Sequence, residues 1–132
     1  MLAYPKPLPL RIVNLQQAQA FLQHRFIFAE EEYLNVVYLS ESGTVLGSEI
    51  LAGGIDHVQL SLRAIFWRAM EADAGKLLIA HNHPSGVAEP SAGDRDVTKR
   101  LASVGKHLNV NLMDHLIYGG GRWFSFRMAG LL

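Results

Sequence analysis

The stretch that decides the fold is an apolar run that ends in two histidines, residues 76–84, with the sequence KLLIAHNHP. No polar side chain interrupts Leu77–Ala80, which is typical of a short strand buried on both faces of a sheet. Pro84 cannot donate a ladder hydrogen bond and therefore marks the end of the strand. Because residues i and i+2 of a strand point to the same side, His81 and His83 are predicted to share one face.

Helices are predicted on both sides of this run. They begin at Asn14, Ser61 and Ser91, whose side chains are all suited to capping a helix. The apolar positions that repeat at helical spacing are Leu15, Ala18, Phe21 and Leu22 in the first helix, Leu62, Ile65, Phe66, Ala69 and Met70 in the second, and Val97, Leu101, Val104 and Leu108 in the third. Each set predicts one buried helix face.

Further strands complete the pattern. They are predicted at residues 34–39, 44–51, 109–118 and 122–127, in two pairs that are each joined by a glycine-containing turn. The order helix, hairpin, helix, strand, helix, strands predicts an α/β fold in which a mixed sheet is flanked by helices. We interpret residues 1–13, which contain three prolines, as an extended leader and residues 14–132 as a single domain.

Composition limits the classes of function. The chain of 132 residues is 49% hydrophobic, and twelve Lys and Arg residues balance twelve Asp and Glu residues. A neutral balance does not favour nucleic acid or an anionic membrane surface as a partner. The absence of cysteine excludes disulfides, thiolate zinc sites and a cysteine nucleophile. The sequence shows neither a signal peptide nor an apolar stretch of the roughly 20 residues that a membrane span needs, so a cytoplasmic protein is expected.

His81, His83 and Asp94 form a candidate metal site. A loop that starts after Pro84 returns the chain to Asp94, which becomes a possible third ligand beside the two imidazoles. Two imidazoles and one carboxylate leave one position of a tetrahedral zinc ion open for water, as in catalytic zinc sites. Alternatively, Ser91 and Asp94 form only a helix N-cap. The two interpretations are compatible, because the cap geometry can aim Asp94 at the ion.

Hydrolysis at such a site needs a general base that takes a proton from the metal-bound water. The candidates are Glu30, Glu31 and Glu32, just before the first predicted strand, and Glu49 on the second. Three adjacent glutamates are more often a solvated charge cluster, although one of them can point inward where the strand begins. Ser91 has two open roles, since its hydroxyl can cap the helix or hydrogen-bond the oxyanion of a tetrahedral intermediate.

The spacing of these residues resembles a known motif. Residues 81–84 (HNHP), followed after six residues by 91–94 (SAGD), are similar to the JAMM motif of the MPN/JAB metalloprotease superfamily. The stretches 81–86 (HNHPSG), 114–117 (DHLI) and 125–127 (SFR) resemble more narrowly the RadC group. The resemblance extends from about residue 30 to residue 132, most of the chain.

The resemblance implies a cytidine-deaminase-like fold of three layers, with a sheet between helices. It implies zinc held by His81, His83 and Asp94, with water as the fourth ligand. It also implies a glutamate base near the first strand, for which Glu32 is the first choice and Glu31 the second. The usual reaction in the superfamily is hydrolysis of an amide or isopeptide bond, so a protein or peptide substrate is implied.

The leading hypothesis is therefore a zinc-dependent metallopeptidase or isopeptidase. A non-catalytic MPN-type interaction module is the first alternative, although the intact motif argues against it. A RadC-type protein associated with DNA metabolism, or a metal-dependent nuclease or phosphoesterase, is disfavoured by the neutral charge. A cytidine deaminase would need cysteine ligands, which the chain lacks.

Two further residues are notable, Asn82 within the motif and His115 in a later strand. Asn82 stands between the histidines, where many JAMM proteases have Ser or Thr. His115 follows Asp114 where a strand begins, and we predict that it makes a buried structural hydrogen bond rather than binding metal as a fourth protein ligand.

Overall fold

A computed structural model describes residues 10–53 and 61–132, so residues 1–9 of the predicted leader lie outside the described part. Its helices are α1 (Leu15–Phe26), α2 (Leu62–Glu71) and α3 (Ala92–Leu108). Its strands are β1 (Tyr33–Leu39), β2 (Val45–Ala52), β3 (Lys76–Asn82), β4 (Asn111–Gly119) and β5 (Arg122–Ser125). Every predicted helix and strand is therefore confirmed, with shifts of a few residues at their ends.

The strands form one mixed sheet in the order β2-β1-β3-β4-β5. Strand β1 is antiparallel to both of its neighbours, β3 and β4 are parallel, and β5 returns antiparallel to β4. The apolar run of β3 therefore lies at the centre of the sheet, and Leu77–Ala80 are fully buried. In the pairing of β1 with β3, Leu34 lies opposite His81.

Helices cover both faces of the sheet. On one face, Ala18, Leu22 and Phe26 of α1 pack against strand residues such as Val37 and Leu78. The residues that form the core of the other face include Ile65, Phe66 and Ala69 of α2, Leu101 of α3, and Leu34, Val36, Leu77 and Ile79 of the sheet. Two separate apolar cores thus give three layers, which confirms the predicted α/β fold.

Side chains cap the helices as predicted. The side-chain oxygen of Asn14 accepts a hydrogen bond from Gln17 N, and that of Ser61 accepts one from Ala64 N. The Ser91 hydroxyl accepts a hydrogen bond from Asp94 N at the start of α3. None of the helices within residues 10–53 and 61–132 is long and apolar enough to cross a membrane.

The predicted buried faces of α2 and α3 were partly wrong. Met70, Val104 and Leu108 are exposed to solvent, by 54%, 37% and 40%. Helix α3 instead buries Asp94, Thr98, Leu101 and Gly105. A Cβ atom on Gly105 would collide with the carbonyl oxygen of Val110, so the helix approaches the following chain at its glycine rather than at its apolar side chains. The polar end of this inward face reaches the candidate metal site.

Residue 12 belongs to the core although the sequence placed it in the leader. Ile12 is 1% exposed and packs in the cluster beneath α1. Its backbone N–H donates to Gly43 O at 2.8 Å, and Arg11 pairs with Thr44 in an isolated bridge. Residues 10–12, the described part of the chain just before α1, are therefore hydrogen-bonded to the β1–β2 turn.

Candidate metal centre

The two histidines of the motif lie at the carboxyl end of β3. His81 is within the strand, and His83 follows it and still donates its backbone N–H to Tyr118 O of β4 at 2.8 Å. This hydrogen bond keeps the chain extended past the end of β3, so the strand alternation persists and both imidazoles reach the same face. His81 is 1% exposed, whereas His83 is half-buried.

Helix α3 begins over the same face and brings Asp94 to the histidines. His81 Nε2 lies 2.9 Å from His83 Nε2 and 3.3 Å from Asp94 Oδ1, and His83 Nε2 lies 3.5 Å from Asp94 Oδ2. Adjacent ligands of a tetrahedral zinc ion with bonds near 2.0–2.1 Å are separated by about 3.3 Å. The three side chains that the sequence singled out are therefore close enough together to hold one small cation.

The capping box at the start of α3 orients the carboxylate. Ser91 N donates to Asp94 Oδ2 at 2.8 Å, and Asp94 N donates to Ser91 Oγ at 3.0 Å. Asp94 is 1% exposed, and its side chain is thus held by the backbone of its own helix start. Asp94 thus belongs to the capping box and also faces the two histidines, so the two interpretations of the sequence are compatible.

Asp94 is the fixed negative charge of the site. Burial raises the pKa of its carboxyl, but the interaction with the His81 ring, followed by the hydrogen bond from the Ser91 N–H, outweighs burial and leaves the pKa well below its usual value. The side chain is therefore ionised at neutral pH. A buried anion needs a compensating cation or hydrogen bonds, and this one has two imidazoles as its closest side-chain neighbours.

His83 presents a lone pair to this anion. Its Nδ1 lies 2.8 Å from Val87 O, and a carbonyl can only accept, so Nδ1 carries the proton of the neutral ring. The Nε2 lone pair then faces His81 Nε2 and Asp94. Lone pairs and a carboxylate at these distances repel one another unless a cation lies between them. The donor set of two nitrogens and one anionic oxygen fits zinc.

A glycine turn supports the loop that holds His83. The turn between β4 and β5 packs on residues 86–88, and a Cβ atom on Gly119 would lie 3.0 Å from both Val87 C and Ala88 N. Gly120 has φ +58°, and a Cβ atom there would meet Gly86 O at 2.7 Å. Gly119 and Gly120 have no room for a side chain, so the turn packs closely on the loop whose Val87 carbonyl meets the His83 ring.

The predicted candidates for the general base have different environments. Glu32 is half-buried, while Glu30 and Glu31 are exposed. Leu34 lies opposite His81, so continuing the strand alternation by one step puts Glu32 on the face of the metal ligands and Glu31 on the other. Glu49 is engaged elsewhere, because it binds Tyr38 Oη at 2.9 Å and Arg68 Nη1 at 2.9 Å.

Residues that the sequence did not assign to the site surround the ligands. His115 is fully buried and its Nε2 lies 2.8 Å from His81 Nδ1, so the predicted buried hydrogen bond of His115 is confirmed. Thr98 contacts His115 Nδ1 through its hydroxyl at 2.6 Å. Thr98 lies four residues after Asp94 on α3, and that helical spacing is the signal that could have pointed to it.

The structure is an α/β domain in which a mixed sheet lies between helices. Its candidate metal centre combines two histidines at the end of the central strand with a carboxylate at the start of the next helix. The family model of the RadC-like JAB domain matches residues 12–131. The chain therefore belongs to the RadC-like JAB domain family, and its five-stranded mixed sheet flanked by helices agrees with the JAB/MPN fold.

Proposed function

We propose that the protein is a zinc-dependent hydrolase of the JAMM type that cleaves amide or isopeptide bonds in cytoplasmic proteins or peptides. The observation that carries this proposal is the convergence of two imidazole nitrogens and the Asp94 carboxylate at distances of 2.9–3.5 Å. Zinc bound by His81, His83 and Asp94 would supply Lewis acidity and a water of lowered pKa, because three protein ligands leave one position open.

Glu32 is the proposed general base. The alternation of β1, extended by one residue, predicts that Glu32 faces the same side of the sheet as His81, and Glu32 is half-buried, as is expected for a carboxylate at the edge of a reaction site. In this role Glu32 takes the proton of the attacking water and passes it to the amine that leaves. The family resemblance, which selected Glu32 before Glu31, and the strand alternation both favour the same residue.

Asn82 supports this role of Glu32. Its Oδ1 accepts from Tyr33 N at 2.7 Å, and its Nδ2 donates to Glu31 O at 2.8 Å. These two peptide groups flank Glu32, and Asn82 itself is 2% exposed. An amide offers its donor and its acceptor on separate atoms, so it can bind both groups at once. This gives a physical reason for Asn between the histidines, where many JAMM proteases have Ser or Thr.

Ser91 is proposed to have two roles. As the cap of α3, its backbone N–H orients Asp94 and its hydroxyl oxygen accepts from Asp94 N. Because Ser91 adjoins the metal ligand, its hydroxyl is also the proposed donor to the oxyanion that forms when water attacks the substrate carbonyl. Loss of such a donor costs about 10²–10³-fold in turnover in other hydrolases.

The test is hydrolysis of defined substrates by tag-free protein loaded with zinc. A panel of peptides and of isopeptides linked through a lysine Nζ would be incubated with the wild-type chain and with the variants Glu32→Gln and Asp94→Asn. Mass spectrometry would identify the bond cleaved. We expect cleavage by the wild-type protein, a loss of about 10²–10⁴-fold in Glu32→Gln with zinc still bound, and no cleavage in Asp94→Asn.

Three outcomes would contradict parts of the proposal. Failure of the tag-free protein to bind stoichiometric zinc would remove its basis. Stoichiometric zinc without cleavage of any substrate would favour the non-catalytic interaction module, and unchanged cleavage in Glu32→Gln would exclude that residue as the base.

A further inference from the structure

A buried chain of hydrogen bonds joins helix α3 to the metal ligand on β3. Thr98 Oγ1 lies 2.6 Å from Asp94 O and 2.6 Å from His115 Nδ1, and His115 Nε2 lies 2.8 Å from His81 Nδ1. From this geometry we infer that Thr98 and His115 are positioning residues that fix the tautomer of His81, so that its Nε2 lone pair faces the metal. The inference rests on the metal centre of the proposed function.

The direction of each hydrogen bond in this series follows from the bond between Thr98 and the Asp94 carbonyl. The carbonyl oxygen of Asp94 can only accept a hydrogen bond, so the single hydroxyl proton of Thr98 is donated to it. Thr98 Oγ1 therefore has only lone pairs to offer to its second neighbour. His115 Nδ1 must then carry a proton and donate it to Thr98 Oγ1.

The same reasoning extends to His81. The ring of His115 is fully buried and neither of its nitrogens contacts a carboxylate, so it is neutral and has one N–H. With the proton of His115 on Nδ1, its Nε2 is an acceptor, and His81 Nδ1 donates to it. A neutral His81 then has a bare Nε2, the atom that lies 3.3 Å from the Asp94 carboxylate.

This arrangement differs from the one at His83. The Nδ1 of His83 meets a carbonyl, and this contact is enough to fix the tautomer of His83 because a carbonyl cannot donate a hydrogen bond. The Nδ1 of His81 meets another imidazole, and an imidazole can either donate or accept. A histidine partner therefore orients His81 only if its own tautomer is fixed, and Thr98 together with the Asp94 carbonyl provides that constraint.

The ring of His115 is also held in its plane. It stacks on Phe126 with centroids 4.4 Å apart and an interplanar angle of 2°, and its backbone N–H donates to Asp114 Oδ1 at 2.8 Å. Both of its ring nitrogens are engaged, and the side chain is fully buried. His115 thus acts on the metal through His81 and is not itself a ligand.

The first test reads the tautomers directly. Long-range ¹H–¹⁵N correlation spectra of the imidazoles would be recorded at about pH 8.5, where histidines are neutral, on zinc-free and zinc-loaded protein. We expect His115 and His81 to carry their protons on Nδ1 in both states. A proton on Nε2 of His115 would overturn the inference. The zinc-free spectrum answers this even if the protein binds no zinc, so the two proposals can fail separately.

The second test measures zinc affinity by competition with a chromogenic chelator. Thr98→Val keeps the shape of the side chain but removes the acceptor of the His115 proton, and Thr98→Ser is the matched control that retains the hydroxyl. We expect a zinc affinity about 10–100-fold weaker in Thr98→Val, restored in Thr98→Ser. Equal affinities in the two folded variants would overturn the inference. If Thr98→Val fails to fold, the wild-type tautomers decide.

Discussion

Two buried aspartates, Asp94 on α3 and Asp114 on β4, use the same carboxylate group in different ways. The Asp114 carboxylate accepts hydrogen bonds from His115 N, from Arg127 N and from the hydroxyl of Ser125. Asp94 accepts one from Ser91 N and otherwise faces the Nε2 atoms of His81 and His83. Both are nearly inaccessible to solvent, since Asp114 is 7% exposed and Asp94 is 1% exposed.

The difference separates a structural carboxylate from a candidate metal ligand. Around Asp114, each oxygen has an N–H or O–H donor, so the group ties β4 to the chain that follows β5 and has no need of an ion. Around Asp94, the facing nitrogens hold lone pairs when their rings are neutral, and the remaining charge is best balanced by a cation. The RadC-like segments 114–117 and 125–127 thus support the site from behind, through Asp114 and through the stacking of His115 on Phe126.

The largest expected effect comes from exchanging each aspartate for asparagine. Asp94→Asn should weaken zinc binding by more than about 100-fold, beyond what the loss of an outer-shell partner causes. Asp114→Asn should lose much less zinc affinity, because Asp114 contacts none of the three candidate ligands, and should lose about 1–3 kcal/mol of unfolding free energy, because buried donors lose their acceptor. Chelator competition and urea unfolding would measure both quantities. Equal losses of zinc affinity in the two variants would erase the distinction between the two aspartates.

Zinc itself should stabilise the folded chain. Free zinc at about 100 times its dissociation constant should add about 2.7 kcal/mol to the unfolding free energy, and a chelator should remove the gain. Urea unfolding with and without zinc would show it. His83→Ala is the control, since His83 is half-buried and its removal perturbs the core little, yet its zinc-dependent gain should vanish. A gain that persists in His83→Ala would mean that zinc binds elsewhere.

A smaller and more selective effect is expected at Asn82. Asn82→Ala should reduce hydrolysis by about 10–100-fold while zinc affinity stays unchanged, because the peptide groups around Glu32 lose their anchor. Asn111→Ala, at an exposed position where β4 begins, is a matched control and should leave both quantities unaltered. Parallel loss of zinc and activity in Asn82→Ala would show instead that the residue supports the metal ligands.

The smallest expected effect is on the pH dependence of stability, at a third carboxylate, Glu49, which accepts hydrogen bonds from Tyr38 and Arg68. Burial, and then the hydrogen bond to Glu49, raise the pKa of Tyr38 above its usual range. A raised pKa in the folded state means that stability is complete below the unfolded pKa of about 10 and falls as pH rises from there toward the folded value. Between about pH 8 and about pH 11, unfolding free energy should fall more in the wild-type chain than in Tyr38→Phe. Equal slopes in a urea titration would contradict this.

Local patterns explain how much of the fold could be predicted. Caps such as Asn14 and Ser91 and the apolar run before His81 depend on neighbours within a few residues, and these elements were placed correctly. The candidate metal ligands could be singled out for the same reason, since an H-x-H at a strand end and a capping box are short-range signals.

The rest depended on contacts between distant residues. The bonds of His115 to Thr98 and to His81 span 17 and 34 residues, and those of Asn82 to the start of β1 span 49 and 51. The resemblance favoured Glu32 over Glu31, and the register of β1 with β3, which no local pattern contains, is consistent with that choice. Apolar periodicity likewise failed at Val104 and Leu108, because Gly105 determines where α3 approaches the following strand.

The parallel pairing of β3 with β4 has a consequence for where such a site can exist. The chain leaves β3 at its carboxyl end and must return to the opposite end of the sheet before β4 can begin, so α3 is the crossover between two parallel strands. Such crossovers are almost always right-handed, because of strand twist and helix chirality. The short loop between β3 and α3 keeps the first turn of α3 near the end of β3, and the hand of the crossover decides which face of the sheet the helix covers. The meeting of Asp94 with His81 therefore follows from the path of the polypeptide as much as from any attraction between their side chains.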